Sequence, residues 1–455
     1  MTDPADVESA RAHRRLLDRL LWDAVPAVGT FRQLLPLMAG AGPVDVLQGL
    51  VRLRAVEGIG TRAEQLIRDA SATPSGGSVV DQPAALPLPH PLDSEWRFCA
   101  DSVDALVSKL LSTTMPGDEL LLVGTPSLAV ALSRSCADRR IRFVGPDDVV
   151  SAAVADLFEG DGRLARKSSG RAAAAVVDPP WYGAPFAEML SVCASGCRPG
   201  APVLTVMPRL ATRPDMAAGI EDMLRAAHGM GMVLTDAEPI EVGYRTPVFE
   251  AAALERHGIN PTLGDWRRGD CVRFDAGGRP ESGVVAEYQS SGGHVELMLD
   301  GCRIRLMLDT GLSAAGLAAV EDDEISGSVS ARSPSRRAAN LWTTANRALV
   351  VDERACLAAI TEIARYEGIV LPQRLTLDRI EPHPEKIVEA GVDMIHRLRA
   401  LFERETADAS RLAGDGSWLR GAKGMKCSHA RSNTSLQSRP GAPALKSSST
   451  ATRAA

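Results

Sequence analysis

Three regimes of hydrophobic patterning divide the chain. Across residues 5–70 the apolar positions recur at helical spacing, with Leu16, Leu17, Leu20 and Leu21 on one stripe. Segments 30–38, 43–54 and 61–70 read as short helices between Gly and Pro breaks. Gly58-Ile59-Gly60 ahead of Ala63, Leu66 and Ile67 has the form of a helix-hairpin-helix turn, and 44–54 also fits the second helix of a winged helix-turn-helix. A small helical domain used for packing or dimerisation accounts for the same pattern. Pro, Gly, Ser and Ala then dominate residues 71–92, which predicts a helical domain over 1–75 and a Pro-rich linker over 76–95.

Beyond the linker, short apolar runs of strand length alternate with amphipathic stretches. Asp101 is placed to cap a helix that carries Val103, Leu106, Val107, Leu110 and Leu111 on one side. Residues 119–123 read as a buried strand running into a turn at Gly124 and a helix, and 141–144 as a second strand ending in Gly145-Pro146-Asp147-Asp148. A shorter third unit spans 151–158, the fourth strand 172–177 and the fifth 202–207, while 232–236 and 242–250 follow without a helix between them and predict a hairpin. Strand, glycine turn and helix repeated in this way predict an α/β, Rossmann-like sheet over 96–258.

The fourth strand ends in Asp178-Pro179-Pro180-Trp181-Tyr182. Two prolines can continue neither a ladder nor a helix, so the strand closes on a rigid corner. Such a corner, at the carboxyl end of a strand in an open α/β sheet, lies where ligands bind. A carboxylate beside a free carbonyl can accept both hydrogens of one NH2 group, and an aromatic face can lie against a planar ring.

Asp178-Pro179-Pro180-Trp181 resembles motif IV of the S-adenosylmethionine-dependent amino-methyltransferases, which methylate adenine N6 or cytosine N4. The resemblance implies the seven-stranded methyltransferase sheet, whose last strand inserts antiparallel to the rest. It implies S-adenosylmethionine along the carboxyl ends of the first strands, with Gly124 and Thr125 at the close turn, Asp147 or Asp148 on the ribose, and Asp156 and Leu157 beside the adenine. Asp178 and the Pro179 carbonyl would hold the acceptor amine on the corner stiffened by Pro180, with Trp181 and Tyr182 stacking. The first turn, Val123-Gly124-Thr125-Pro126-Ser127, departs from the family's motif I in having one glycine, no acid and a proline. The sequence also resembles the branched-polyamine aminopropyltransferases, which share an Asp-Pro-Pro-aromatic corner and act on a small amine with acids around the site.

After residue 258 the pattern alternates. Segments 266–274, 283–288, 294–299 and 302–307 predict a small antiparallel β domain over 259–330. Arg303 and Arg305 would share a face, with Trp266, Arg267, Arg268 and Arg273 nearby; a nucleic-acid groove and a solvated strand face both fit. Arg336, Arg337, Asn340, Trp342, Asn346 and Arg347 form a compact polar cluster at the start of a helical region over 331–410. Residues 411–455 predict a disordered basic tail.

Charge changes the picture only at that tail. Eight Lys or Arg against Asp415 give it about +7, whereas the net charge of the chain is −6, so the body is strongly acidic. The tail and the Arg-rich β domain are the nucleic-acid-binding candidates. No run of eighteen apolar residues appears and the first residues are polar, so the sequence predicts a cytoplasmic protein with no membrane segment. The eight Cys have no pairing rhythm, and Cys193 and Cys197 read as structural thiols, so no metal site is expected. Three functional readings stand: methyl transfer to an amine of a nucleic acid base, transfer to a small amine, and a Rossmann-like binding or scaffold protein without cofactor chemistry.

Overall fold

The computed structural model describes residues 4–72, 86–93, 95–135, 138–145, 148–160, 162–165, 171–235, 238–277, 293–314, 316–321, 324–330, 333–369 and 384–412. Asp147, most of the linker, the expected strand at 283–288 and the basic tail after 412 lie outside the described residues.

The N-terminal apolar stripes form helices Pro4–Ala24, Pro43–Leu53 and Gly60–Ser71, with a short helix Phe31–Leu34 between the first two. Thr30 starts that short helix by a capping box, its hydroxyl accepting from the Gln33 N–H while the Gln33 side chain accepts from the Thr30 N–H. Leu21, Phe31, Leu34, Val46, Leu50 and Leu66 are fully buried, so the stripes meet as their spacing requires.

The main sheet contains β1 (Arg97–Phe98), β2 (Glu119–Val123), β3 (Arg140–Val144), β4 (Ala174–Val177), β5 (Pro202–Pro208), β6 (Val233–Leu234), β7 (Ile240–Arg245) and β8 (Arg268–Asp275). Its strand order is β3-β2-β4-β5-β8-β7-β1, with β6 also beside β8. Strands β2 to β5 run parallel, and β8 lies antiparallel to both β5 and β7. Every residue of β2 and β4 is buried, as the continuous apolar runs require of parallel strands covered on both faces. A mostly parallel sheet with a late antiparallel strand is the Rossmann-like α/β sheet expected from the sequence, with eight strands instead of seven.

The inserted strand is not the expected one. Segments 232–236 and 242–250 do not pair as a hairpin; β6 and β7 each pair with β8 instead. β8 comes from segment 266–274, which sequence alternation had placed in the small β domain. The alternation is real, but a strand with one buried face fits a sheet position as well as a barrel, and its partner on β5 is more than sixty residues upstream. Residues 248–250 are helical, opening helix Val248–Arg256 behind Pro247. The unit at 151–158 is also corrected: it belongs to helix Asp148–Leu157, whose short apolar run could not be separated from a strand by periodicity.

Five further strands, β9 (His294–Leu299), β10 (Cys302–Met307), β11 (Ala318–Ala319), β12 (Leu341–Thr343) and β13 (Ala348–Val350), form an antiparallel sheet ordered β11-β13-β12-β10-β9. Helices Glu353–Glu367 and Pro384–Leu412 cover it, with Ile304, Leu306, Ile360 and Leu398 fully buried between them. Val248, Ala251 and Ala252 of helix Val248–Arg256 belong to the same buried cluster, so the second sheet packs against the segment that follows β7.

Candidate functional site

The chain order places the reversal of the main sheet between β2 and β4. From β2 it crosses to β3 on one side and then returns to β4 on the other, so the carboxyl ends of β2 and β4 open on a crevice. Gly124 and Asp178 stand there side by side. The Asp178 N–H donates to Val123 O at 3.1 Å, and a Cβ on Gly124 would lie 3.0 Å from the Asp178 carbonyl and 2.5 Å from Met189 Cε. With φ at +66°, that position requires glycine both for its backbone and for its neighbours.

The corner itself is built as its prolines suggest. Tyr182 N–H donates to the Pro180 carbonyl at 2.7 Å, while no N–H among the described residues donates to the Pro179 carbonyl. Asp178 Oδ1 accepts a hydrogen bond from Tyr244 Oη at 2.7 Å, and Oδ2 has no such partner among them. Burial pushes the Asp178 carboxyl up to about 7, although the Tyr244 hydroxyl and the Arg267 charge act to lower it. The Tyr244 phenol, buried against that carboxylate, is held well above its usual value.

Asp178 to Tyr182 all line one cavity of about 370 Å³. The main sheet contributes Tyr244 from β7, and helix Val248–Arg256 contributes Glu250. Residues 42–45 of the N-terminal helices and 327–330 of the loop between the second sheet's strands close it from other sides. Glu250 is 8% exposed and burial pushes its carboxyl up to about 7, opposed by the Arg267 charge. The Arg267 guanidinium lies 4.3 Å from the ring centre of Trp96 and 4.2 Å from that of Trp181. Burial lowers its pKa, opposed by Tyr244, Glu250 and Asp178.

This arrangement alters the role expected of Trp181. The indole is 4% exposed, has the Arg267 guanidinium on it, meets Tyr244 edge-on at 5.8 Å, and packs so near β8 that a Cβ on Gly269 would lie 3.0 Å from its Cζ2. It is a wall of the cavity and not an open platform for a base. Tyr182 is half-buried, with Arg213 4.6 Å from its ring centre.

No family model and no curated protein matches the chain. Among solved structures it is similar to the branched-chain polyamine synthase of Thermus thermophilus, at 15% identity and a TM-score of 0.44, over 64% of this chain and 97% of that one. It is also similar to precorrin-6y C5,15-methyltransferase of Geobacter metallireducens, at 9% identity and a TM-score of 0.26, over 40% and 96% of the two chains. Geranyl diphosphate C-methyltransferase of Streptomyces coelicolor matches at 14% identity and a TM-score of 0.25, over 52% and 100%.

Of the residues expected around S-adenosylmethionine, Asp156 and Leu157 stand apart from Gly124 and Thr125. Thr125 is 1% exposed, and its buried hydroxyl has no hydrogen-bond partner among the described residues. Pro126, Ser127 and Leu128, which open the next helix, are buried as well, and Pro126 has no N–H to offer. Asp148 starts the helix that returns from β3, but Asp156 and Leu157 end it. Ala165 N–H then donates to Ile141 O at 2.8 Å, near the start of β3, so that helix has carried Asp156 and Leu157 away from the carboxyl edge. None of Gly124, Thr125, Asp156 or Leu157 lines the cavity, and the side chains of Asp147 and Asp148 lie outside the described residues. Among the described residues, Asp156 and Leu157 are therefore not brought to the turn at Gly124 and Thr125.

The nucleic-acid face is corrected too. Arg303 and Arg305 are 0% and 5% exposed and are bound to Asp93 and Glu296: Arg303 Nε donates to Glu296 at 2.6 Å, its Nη1 lies 2.9 Å from Asp93, and Arg305 Nη2 donates to Glu296 at 2.6 Å. Burial alone would raise Glu296, but the two guanidiniums outweigh it and hold the carboxyl at about 2. Arg273 pairs with Asp275 within β8, whereas Arg347 pairs with Glu405 and Asp408 and so ties the second sheet to helix Pro384–Leu412. Asn340 Nδ2 donates to Val351 O at 3.0 Å, Asn346 Nδ2 to Ser326 O at 2.8 Å, and Arg336 lies over Trp342 with its pKa lowered to about 10 by burial. Asn340, Trp342, Asn346 and Arg347 are therefore an internal scaffold, while Arg337 is exposed. Cys193 and Cys197 are buried, and burial raises both thiols, Cys197 to about 12. No helix among the described residues is long and apolar enough to cross a membrane.

Tyr244, Glu250, Arg267 and Trp96 were missed as site residues. Glu250 had a signal, being a lone acid inside Val248-Phe249-Glu250-Ala251-Ala252-Ala253-Leu254, a run that is otherwise apolar and buried. The others could be found only through the strand order, because β7, β8 and the segment before β1 meet across the sheet.

Proposed function

We propose that the chain is a Rossmann-like transferase whose acceptor is a small amine held at Asp178. The observation that carries this is the 370 Å³ cavity at the carboxyl end of β4, into which Asp178 and Glu250 both face. A base stacked on Trp181 is disfavoured because that ring is buried against Arg267 and Gly269. A small amine needs no such platform.

Asp178 Oδ2 and the Pro179 carbonyl are the acceptors left for the two hydrogens of one amine. A bound ammonium gives one N–H proton to the Asp178 carboxylate, and the nitrogen keeps the electron pair as its lone pair. Asp178 suits that exchange because its pKa of about 7 lets it take and release a proton near neutrality. Tyr244, donating to Oδ1, holds one carboxylate oxygen and leaves Oδ2 as the acceptor for the amine. Glu250 adds a second negative charge when ionised, which draws a cationic amine out of water into an enclosed space.

The test is calorimetric titration of small primary amines into the full chain and into its Asp178→Asn variant. Binding by the wild type, weakened at least tenfold by the substitution, is the expected result. Amines that bind both proteins alike would remove Asp178 from the site.

A further inference from the structure

Arg267 is an unusual neighbour for an amine. An amine site gains from negative charge, yet a guanidinium lines the same cavity. Its two closest aromatic neighbours, Trp96 at 4.3 Å and Trp181 at 4.2 Å, hold it by cation–π attraction and by contact area. Its charge acts on the Asp178 and Glu250 carboxyls across the cavity, but it forms no close ion pair with either. Among the described residues no carboxylate oxygen lies within 4.0 Å of it, no hydrogen bond is made by its N–H groups, and its Nε is buried without a partner. Glu250 likewise makes no side-chain hydrogen bond among the described residues. Two opposite charges therefore face one cavity without pairing to each other.

Indoles against a guanidinium leave its donors at the rim of its plane, where they point toward whatever shares that plane. A carboxylate is the complementary group, planar and able to accept two parallel N–H bonds. A buried guanidinium with unused donors is costly, and an anionic ligand group would remove that cost. We propose that the acceptor is a zwitterion of amino-acid type, its amine at Asp178 and Glu250 and its carboxylate on Arg267. This rests on the small-amine reading of the same cavity and narrows it from amines in general to amines that also carry a carboxylate.

The experiment compares probes that share a carbon chain and differ in the carboxylate: ornithine against putrescine, lysine against cadaverine, and ornithine methyl ester as the uncharged ester. Each is titrated calorimetrically into the full chain at pH 8. Ornithine or lysine should bind at least tenfold more tightly than its decarboxylated partner, and the methyl ester should behave like putrescine. Arg267→Gln should abolish that preference, and Arg267→Lys, which keeps the charge without the planar fork, should keep only part of it. Circular dichroism and a denaturation curve identify a variant that fails to fold, in which case the wild-type comparison alone decides. Diamines that bind the wild type as well as or better than the amino acids would overturn the zwitterion proposal and leave the amine reading intact. No binding by any probe would overturn both.

Discussion

Replacing Glu250 by glutamine removes a carboxyl that the fold holds at the wrong pKa for stability. In the folded chain its pKa is raised to about 7 from 4.5, by burial within a cavity where only Arg267 opposes the shift. Asp178 is raised for the same reason, and His257 and Asp45 also line the space. Because the folded value lies above the unfolded one, the folded chain holds a proton that the unfolded chain has lost across roughly pH 4.5 to 7. Stability therefore falls as pH rises through that window. At about 1.36 kcal/mol per pKa unit, Glu250 alone costs about 2–3 kcal/mol more at pH 8 than at pH 5. Urea denaturation of wild type and Glu250→Gln at both pH values measures this. The variant should gain about 2–3 kcal/mol on the wild type between pH 5 and pH 8. An equal difference at the two pH values would refute the reasoning, since it would mean that the carboxyl titrates normally. A stabilised variant that binds amines less well would show a site kept at the expense of the fold.

Two other substitutions test the correction of the sequence reading. Arg303→Met should cost about 3–5 kcal/mol in a denaturant midpoint measurement, because Asp93 and Glu296 would keep buried charge with only Arg305 to answer it; a loss under about 1 kcal/mol would restore the solvated-face reading. Gly124→Ala should cost about 1–3 kcal/mol from its positive φ and from Met189, and adding Met189→Ala should relieve the contact but not the backbone strain.

The Rossmann-like sheet was legible because its signals are local. Buried parallel strands such as 119–123 and 174–177 are continuous apolar runs, and the corner at Asp178 to Trp181 announces itself by two prolines. What failed depends on distant pairing. β8 alternates like a strand with one buried face, and nothing in residues 268–275 says that its partners are 202–208 and 240–243. Helix Asp148–Leu157 is ten residues long and too apolar to show a period. Arginine gave the most misleading signal, because Arg303 and Arg305 are read as exposed until Asp93 and Glu296, far apart in sequence, are seen against them. The Asp178 corner was found from its own residues, whereas Glu250, Tyr244 and Arg267, which give it its chemistry, come from three other segments.

The most direct test is the heat of binding of a small primary amine to the wild type beside Asp178→Asn. With ornithine at pH 8, saturable binding that falls at least tenfold on the substitution is the predicted result. Ornithine, lysine, putrescine and cadaverine all failing to bind the wild type, or binding Asp178→Asn with undiminished affinity, would contradict it.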